Sequence, residues 1–463
     1  MPAQLPYECC QVTPRVMSRR DLLRTVSAGF GWLAFQGLAA GENKSPLAAK
    51  APHFPARAKR VIFLCMQGGP AHMDTFDYKP KLASDNGKPG VAKGGRSKLF
   101  GSPFAFRQRG QSGLWISDLF PNVAAHADEL CLLRGMHTDI PNHPQAFVQL
   151  HTGSAQFVRP SMGAWALYGL GTENENLPGF ITISPPIQFG AQNYGSAFLP
   201  AYYQGTRLGA QRADIGDAAI GNLRNEDLPT PLQRKQLDLV QDMNRDLLKQ
   251  SANPEIEGVI ESYELAFRMQ GELPRVMDLS KESAATLAMY GIGAGVTNDF
   301  GKQCLMARRF AEAGVRFIEV CHAGWDQHTN LQTKLTANCA ATDKPIAALL
   351  TDLKSHGLLK DTLVIWGGEF GRTPDSRKPD GRDHNAKGYT MWMAGGGVRG
   401  GFSFGATDDY GYKAVEDPVH THDLHASVLH LLGLDHEKLT YRYAGRDFRL
   451  TDVHGQVMKQ IIA

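Results

Sequence analysis

Residues 361–373, DTLVIWGGEFGRT, carry an apolar run from Thr362 to Trp366 straight into two glycines, an acid and an arginine. A short run of β-branched and aromatic residues bounded by polar ones reads as a strand buried on both faces, which belongs in a parallel sheet covered by helices. In such a sheet, ligands bind outside the carboxyl ends of the strands. Glu369 and Arg372, just past the end of this strand, are therefore candidate site residues. Gly367 and Gly368 would let the backbone turn sharply in front of them.

The surrounding pattern supports that reading. A helix ending in ARRFAEAG stops at Gly314, VRFIEV (315–320) follows as a strand, and a long helix over about 331–357 leads into TLVIW. Crossovers of that length imply parallel pairing. KRVIFLCM (59–66) and YTMWMA (389–394) read as further strands, and DLHASVLHLLG (423–433) as a short helix. Residues 84–114, rich in Gly, Lys, Ser and Arg without apolar period, are expected to form a long surface loop. Over 231–270, Leu232, Leu239, Met243 and Leu247, then Ile256, Ile260, Tyr263 and Phe267, recur at helical spacing, so this stretch is expected to be helical and to pack over the sheet.

The segments beside these strands concentrate imidazole and carboxylate. CHAGWDQHTN supplies His322, Asp326 and His328; GGEFGRT supplies Glu369 and Arg372; GRDHN supplies Asp383 and His384; QGGPAHMDTFD supplies His72, Asp74 and Asp77. Converging Asp, Glu and His side chains are what a divalent or two-metal hydrolase site requires, since these ligands suit Zn, Mn, Mg or Ca. The structural alternative is a set of loop acids and helix-capping histidines. All 16 histidines lie outside residues 152–321, so histidine follows the loops rather than the helical stretch. His422 and His425, three apart, could share a helix face as ligands, or could be exposed beside a capping run at Thr421 and Asp423.

Composition narrows the partners. The chain has 463 residues, 42% of them hydrophobic, and a net charge of +3 from 49 basic and 46 acidic residues spread along it, so it lacks the electrostatic footprint of a nucleic-acid binder. Ser18-Arg19-Arg20-Asp21-Leu22-Leu23-Arg24 ahead of the weakly apolar TVSAGFGWLAFQGLAA resembles a twin-arginine export signal over residues 1–40, with the mature chain starting near Gly41 in the periplasm or outside the cell. The apolar part is shorter than the roughly 20 residues of a bilayer span, and no later stretch qualifies. Residues 41–58 read as a linker. Five cysteines remain beyond the signal, an odd number without CxxC spacing, and are expected to be buried inert thiols. No G-x-S-x-G elbow or phosphate-binding G-x-x-x-x-G-K-[ST] loop is present, and AGGGVRGG lacks the dinucleotide-binding spacing.

QGGPAHMDTFDYKP, NHPQAFVQLHTG, GWDQHTN, VIWGGEFGRTP, GRDHNAKGYTMWMAGGGVRGG and GRDFRLTDVHG together resemble a bacterial sulfatase-like family, the domain of unknown function 1501, from about residue 55 to the C-terminus. The resemblance implies the alkaline phosphatase superfamily: a doubly wound, mostly parallel α/β sheet with helices on both faces, over residues 59–463 with a helical insert near 207–290. It implies hydrolysis of sulfate or phosphate esters at a one-metal or two-metal site of Zn, Ca, Mn or Mg. Asp326 and His328 match one ligand pair, Glu369 the acid of a second, and His384 a later ligand; Asp74 and Asp383 would assist, and Arg372 would hold the anionic group. The pattern departs at Phe370, which stands where the second pair has its histidine. Counting back from Thr152-Gly153 places His143 at the position of the nucleophile, as an unusual nucleophile, a general acid or a ligand. The expected function is that of an exported metal-dependent hydrolase of an anionic ester, sulfated polysaccharides among its candidate substrates. The alternative is a non-catalytic relative that binds sulfated or acidic glycans or a partner protein.

Overall fold

The strand Arg60–Met66 (β1), buried at every position, forms the middle of the sheet. The computed structural model describes residues 45–91, 96–187, 190–210, 228–251 and 254–463, and the elements that position the site are, in order, β1, β2 (Leu130–His137), α1 (His143–Thr152), β3 (Phe180–Ile183), β4 (Thr206–Leu208), α2 (Thr230–Ser251), α3 (Pro254–Met277), α4 (Asn298–Glu312), β5 (Phe317–His322), α5 (Leu331–Ser355), β6 (Thr362–Gly367), β7 (Tyr389–Ala394), β8 (Phe402–Phe404), β9 (Val419–His420) and α6 (Thr421–Leu431). The chain divides into two units, Met1–Pro46 and Leu47–Ala463. The export signal expected over 1–40 lies outside the described residues, and everything below belongs to the second unit.

Nine strands of the described residues form one sheet in the order β8-β2-β7-β6-β1-β5-β3-β4, with β9 also on β2. Only β7 runs antiparallel to its neighbours; β1 pairs in parallel with both β5 and β6. The mostly parallel α/β class expected from the sequence is therefore the class observed. Chain direction explains where the site must be. β5 and β6 lie on opposite sides of β1, so the loops leaving their carboxyl ends diverge around the loop leaving β1, and that divergence opens a crevice.

Three expectations are corrected. The stretch expected to be a loop over 84–114 contains strand residues, and Phe106–Arg109 pairs antiparallel with Leu114–Ser117 in a hairpin. Asp128 holds its turn by accepting from the amides of Gln111 and Ser112, and Ile116 is buried. The linker is laid onto the domain from Leu47 onward: His53 and Phe54 donate to the Gly433 carbonyl, and Arg57 to that of Leu431. The helical stretch is helical, as α2 and α3, but its leading apolar stripe does not lie on the sheet. Leu239 and Met243 are 64% and 67% exposed, and Leu232 and Leu247 are exposed with them. α2 is held instead through its other face, where Arg234 pairs with Glu264 of α3 and the Gln241 amide donates to the Ile260 carbonyl. The five cysteines from Cys65 to Cys339 are free and buried, as expected, and no helix of the described residues is long and apolar enough to cross a membrane.

A buried ion pair fixes α1 against the sheet. His151 Nε2 donates to Glu319 Oε1 at 2.5 Å, Thr182 of β3 donates to Glu319 Oε2 at 2.7 Å, and His151 Nδ1 donates to the Phe147 carbonyl at 2.7 Å. Burial alone would lower the His151 pKa, but Glu319 outweighs it and the pKa is raised. The folded value thus lies above the unfolded one, so the pair's stabilisation is complete below about pH 6.5 and is lost as pH rises through the folded pKa. Glu319→Gln should cost about 3 kcal/mol in urea unfolding at mildly acidic pH. The gap between wild type and variant should narrow toward alkaline pH. A gap that does not change with pH would mean that the pair is not ionised.

Candidate metal centre

Three loops meet where β1 ends. Gly68 has φ +115°, a conformation that disfavours any side chain, and a Cβ there would stand 2.6 Å from the Asp326 amide nitrogen. Its own N–H donates to both oxygens of Glu369, at 3.0 and 3.1 Å. The expected sharp turn at Gly367-Gly368 is not what those glycines supply. Gly367 still belongs to β6 and neither residue has a left-handed φ; a Cβ on Gly368 would press on the Met66 carbonyl at 2.5 Å. The glycines let the loops after β1 and β6 touch.

Arg372 binds these loops together. Its guanidinium, wholly buried, donates to the carbonyls of Gly68, Gly69 (2.9 Å) and Trp325 (3.3 Å) and reaches Asp326 Oδ1 at 2.6 Å. Asp326 sits in turn among three imidazoles. From its Oδ1, His328 Nε2 is 3.1 Å away and the Nε2 atoms of His143 and His384 are each 3.3 Å away, while the Nε2 atoms of His328 and His384 are 2.9 Å apart. His384 arrives through a two-residue ladder, in which His384–Asn385 pairs with Gly371–Arg372.

The far side of each ring decides what the near side can do. His143 Nδ1 meets Glu369 Oε1 at 2.5 Å, His328 Nδ1 meets Asp383 Oδ1 at 3.1 Å, and His384 Nδ1 meets the Pro141 carbonyl at 2.9 Å. Each Nδ1 faces an acceptor and so carries the proton, which turns three Nε2 lone pairs toward one carboxylate oxygen. Lone pairs 2.9 Å apart repel unless a cation lies between them. Protonation supplies an answer at the third ring but not at this pair: burial lowers the His328 pKa, whereas on His143 burial is overcome by Asp326 and Glu369, which raise it to about 9. Asp326 is pushed upward by burial and pulled well below the usual carboxylate range by His143, His384 and Arg372. A divalent ion is the other answer, and the donor set fits one: one carboxylate, imidazoles of a single tautomer, and a second layer of acceptors behind them. His143, Asp326 and His384 offer ligand atoms all within 4.8 Å of one another.

The expected site residues thus separate. Asp326, His328, His384 and His143 come together as ligand candidates. Glu369 and Asp383, expected to bind or assist the metal, stand behind His143 and His328 and orient them. Asp74 is elsewhere: both its oxygens are taken by Arg382, at 2.6 and 3.0 Å, in a fully buried pair. Arg372, expected to grip an anion, has its donors committed to carbonyls and Asp326. His143 has a carboxylate at each nitrogen, which leaves neither free to attack an ester. His72 is buried and His322 half-buried, both outside the cluster and both pushed by burial to a pKa of about 4, and Asp77 pairs with Lys79. At α6 the cap is His420 rather than Thr421, with Asp423 accepting from its amide, and His422 and His425 are neither exposed nor part of the cluster: both are buried, their Nε2 atoms on the Gly153 and Leu150 carbonyls. Phe370 lies buried against the His143 and His384 rings at 4.6 and 4.8 Å, a wall behind two candidate ligands at the position where the resembled pattern has a histidine. Sequence reading missed the acceptor role of the Pro141 carbonyl and the partnership of Arg382 with Asp74. Neither has a sequence signal, because one is backbone and the other depends on two loops meeting.

The sheet and the cluster define an α/β protein with an imidazole–carboxylate centre at the carboxyl ends of its middle strands. The family model described as "Protein of unknown function (DUF1501)" matches residues 58–462, and the chain belongs to that family. No curated protein matches it. Among solved structures, the chain is similar to the PsFucS1 sulfatase from Pseudoalteromonas sp. (13% identity, 88% of this chain and 72% of that one, TM-score 0.36) and to the lipoteichoic acid synthase LtaP from Listeria monocytogenes (10% identity, 88% and 78%, TM-score 0.38). It is also similar to the alkaline phosphatase from the Antarctic bacterium TAB5 (12% identity, 73% and 92%, TM-score 0.31). Likeness at this level carries nothing about the site, whose reading rests on its own residues.

Proposed function

We propose that this protein is an exported, metal-dependent hydrolase of sulfate or phosphate esters. The observation that carries the reading is the convergence of three Nε2 atoms on Asp326 Oδ1, with every Nδ1 facing an acceptor. Three imidazoles and one carboxylate suit zinc or a similar transition ion better than calcium or magnesium, which favour oxygen shells. When bound, such an ion supplies Lewis-acid polarisation of an ester and acidifies a water molecule.

The chain's own residues do the rest. Arg372 keeps Asp326 ionised and fixes its Oδ1; Glu369, held by the Gly68 amide, sets the plane of the His143 ring. Phe370 excludes water from the buried side, while the Asp326 side chain remains 43% exposed and leaves the cluster open to an ester arriving from solvent. No serine, threonine or cysteine side chain is among the described partners of the four ligands, which supports water rather than a side chain as the attacking group. The expected nucleophile position, His143, then serves as a ligand.

Turnover of a panel of aryl sulfates and aryl phosphate mono- and diesters by zinc-loaded protein tests the activity. We expect hydrolysis of at least one class, lost together with bound metal in His143→Ala/His384→Ala. Glu369→Gln should weaken metal binding about 10- to 100-fold, the usual cost of losing an outer acceptor. Full metal occupancy in the double variant would refute the site, and a metal-loaded protein inert on every ester class would refute the hydrolase reading. Export rests on Arg19 and Arg20: replacing both with lysine should strand the protein in the cytoplasm, and unchanged export would contradict that route.

A further inference from the structure

A second recess lies along α1, away from the metal centre. The chain on either side of α1 connects the two. Pro141, just before the helix, gives its carbonyl to His384, whereas Thr152 and Gly153 at the other end line a cavity of about 390 Å³ with Phe157, Arg159, His422 and His454. His422 and His454 also line an adjoining cavity of about 660 Å³, and Asp139, two residues before Pro141, lines both. A ten-residue helix is about 15 Å long. His143 of the centre stands at one end of that helix and Thr152 and Gly153 of the recess at the other, while Asp139 and Ile140, next to Pro141, make one loop a wall of both.

Arg159 is the unusual group in it. Its guanidinium stacks over Phe448 at 4.3 Å and lies 5.5 Å from the Phe157 ring, and among the described residues it makes no hydrogen bond or ion pair. The neighbouring charges are occupied: Asp452 pairs with Arg446, Arg449 reaches the Asp452 carbonyl and Glu437, and Asp139 accepts from His420 and Gln149. A half-buried arginine fixed between two rings, with its planar donors unspent, is preorganised to take an oxyanion by two parallel hydrogen bonds. Phe157 is 61% exposed at the rim of the same cavity, and an exposed phenyl face accepts the apolar C–H face of a sugar ring. His454 adds a further donor; its ring stacks on His422 and its side chain makes no described hydrogen bond.

Resting on the hydrolase reading for its link to catalysis, we propose that this recess is a subsite for an anionic sugar residue, sulfated or carboxylated, of a glycan chain whose ester is presented to the metal centre. Arg159 takes the anionic substituent and Phe157 the ring. The occupant is a saccharide rather than a polyol phosphate, because a polyol has no flat apolar face to set on Phe157.

Calorimetric titration at physiological salt tests this with three probes: a dextran sulfate tetrasaccharide, an oligogalacturonate tetrasaccharide and a glycerol phosphate tetramer, with neutral dextran as control. At least one of the anionic saccharides should bind. Arg159→Ala should weaken that binding at least about tenfold, and Phe157→Ala about threefold to tenfold. The Arg159 dependence should persist in the His143→Ala/His384→Ala background, which separates this subsite from the metal centre: survival there with no ester turnover anywhere would refute the hydrolase and keep the subsite. Equal affinity in Arg159→Ala and wild type, or binding of glycerol phosphate as tight as that of the saccharides with no effect of Phe157→Ala, would overturn the proposal.

Discussion

The buried guanidinium of Arg372 is the constraint on which the rest of the site depends. A charge out of water is costly unless its donors are all taken, and Arg372 meets that requirement by drawing carbonyls from the loops after β1 and β5 onto a residue of the loop after β6. The same charge pins Asp326 at the point where three histidine rings converge. Gly68 has to lack a side chain for the loops to come this close, and its freed amide then anchors Glu369. The arginine that an anion-binding reading would spend on substrate is spent on architecture.

Ring orientation follows from that framework. An imidazole is useful as a ligand only when its other nitrogen is held, and the protein holds three by three different means: a buried carboxylate for His143, an exposed one for His328 and a backbone carbonyl for His384. Phe370 is consistent with this economy. It packs on the His143 and His384 rings and limits their motion, so a side chain that looked like a lost ligand restricts two of the candidate ligands.

The sheet was readable from the sequence because β6 is an unbroken apolar run, β1 is apolar after Arg60 and β5 is interrupted only by Glu319 before its end, and the helix between β5 and β6 is long enough to force parallel pairing. Position in the site was readable for the same reason: Asp326, His328, Glu369 and Arg372 follow strands directly. Roles were not. Glu369 and Asp326 are both acids just past a strand, and which one faces the cluster depends on the Gly68 amide and on Arg372, contacts hundreds of residues away in sequence for Gly68 and dozens for Arg372. Asp74 looked like the other acids until Arg382 was found on it. The exposed stripe of α2 shows the same limit from the other side: helical spacing at Leu239 and Met243 establishes a helix but not what covers its face.

The central claim is that His143, His328, His384 and Asp326 form one metal centre, and the ligand shell itself is the most direct test. X-ray absorption at the metal edge of protein purified with its native metal should show about three imidazole nitrogens and one or more oxygens at roughly 2.0–2.1 Å, the zinc-like distances. That shell should lose imidazole scattering in His384→Ala. An all-oxygen shell at calcium-like distances, or a shell unchanged by His384→Ala, would contradict the account.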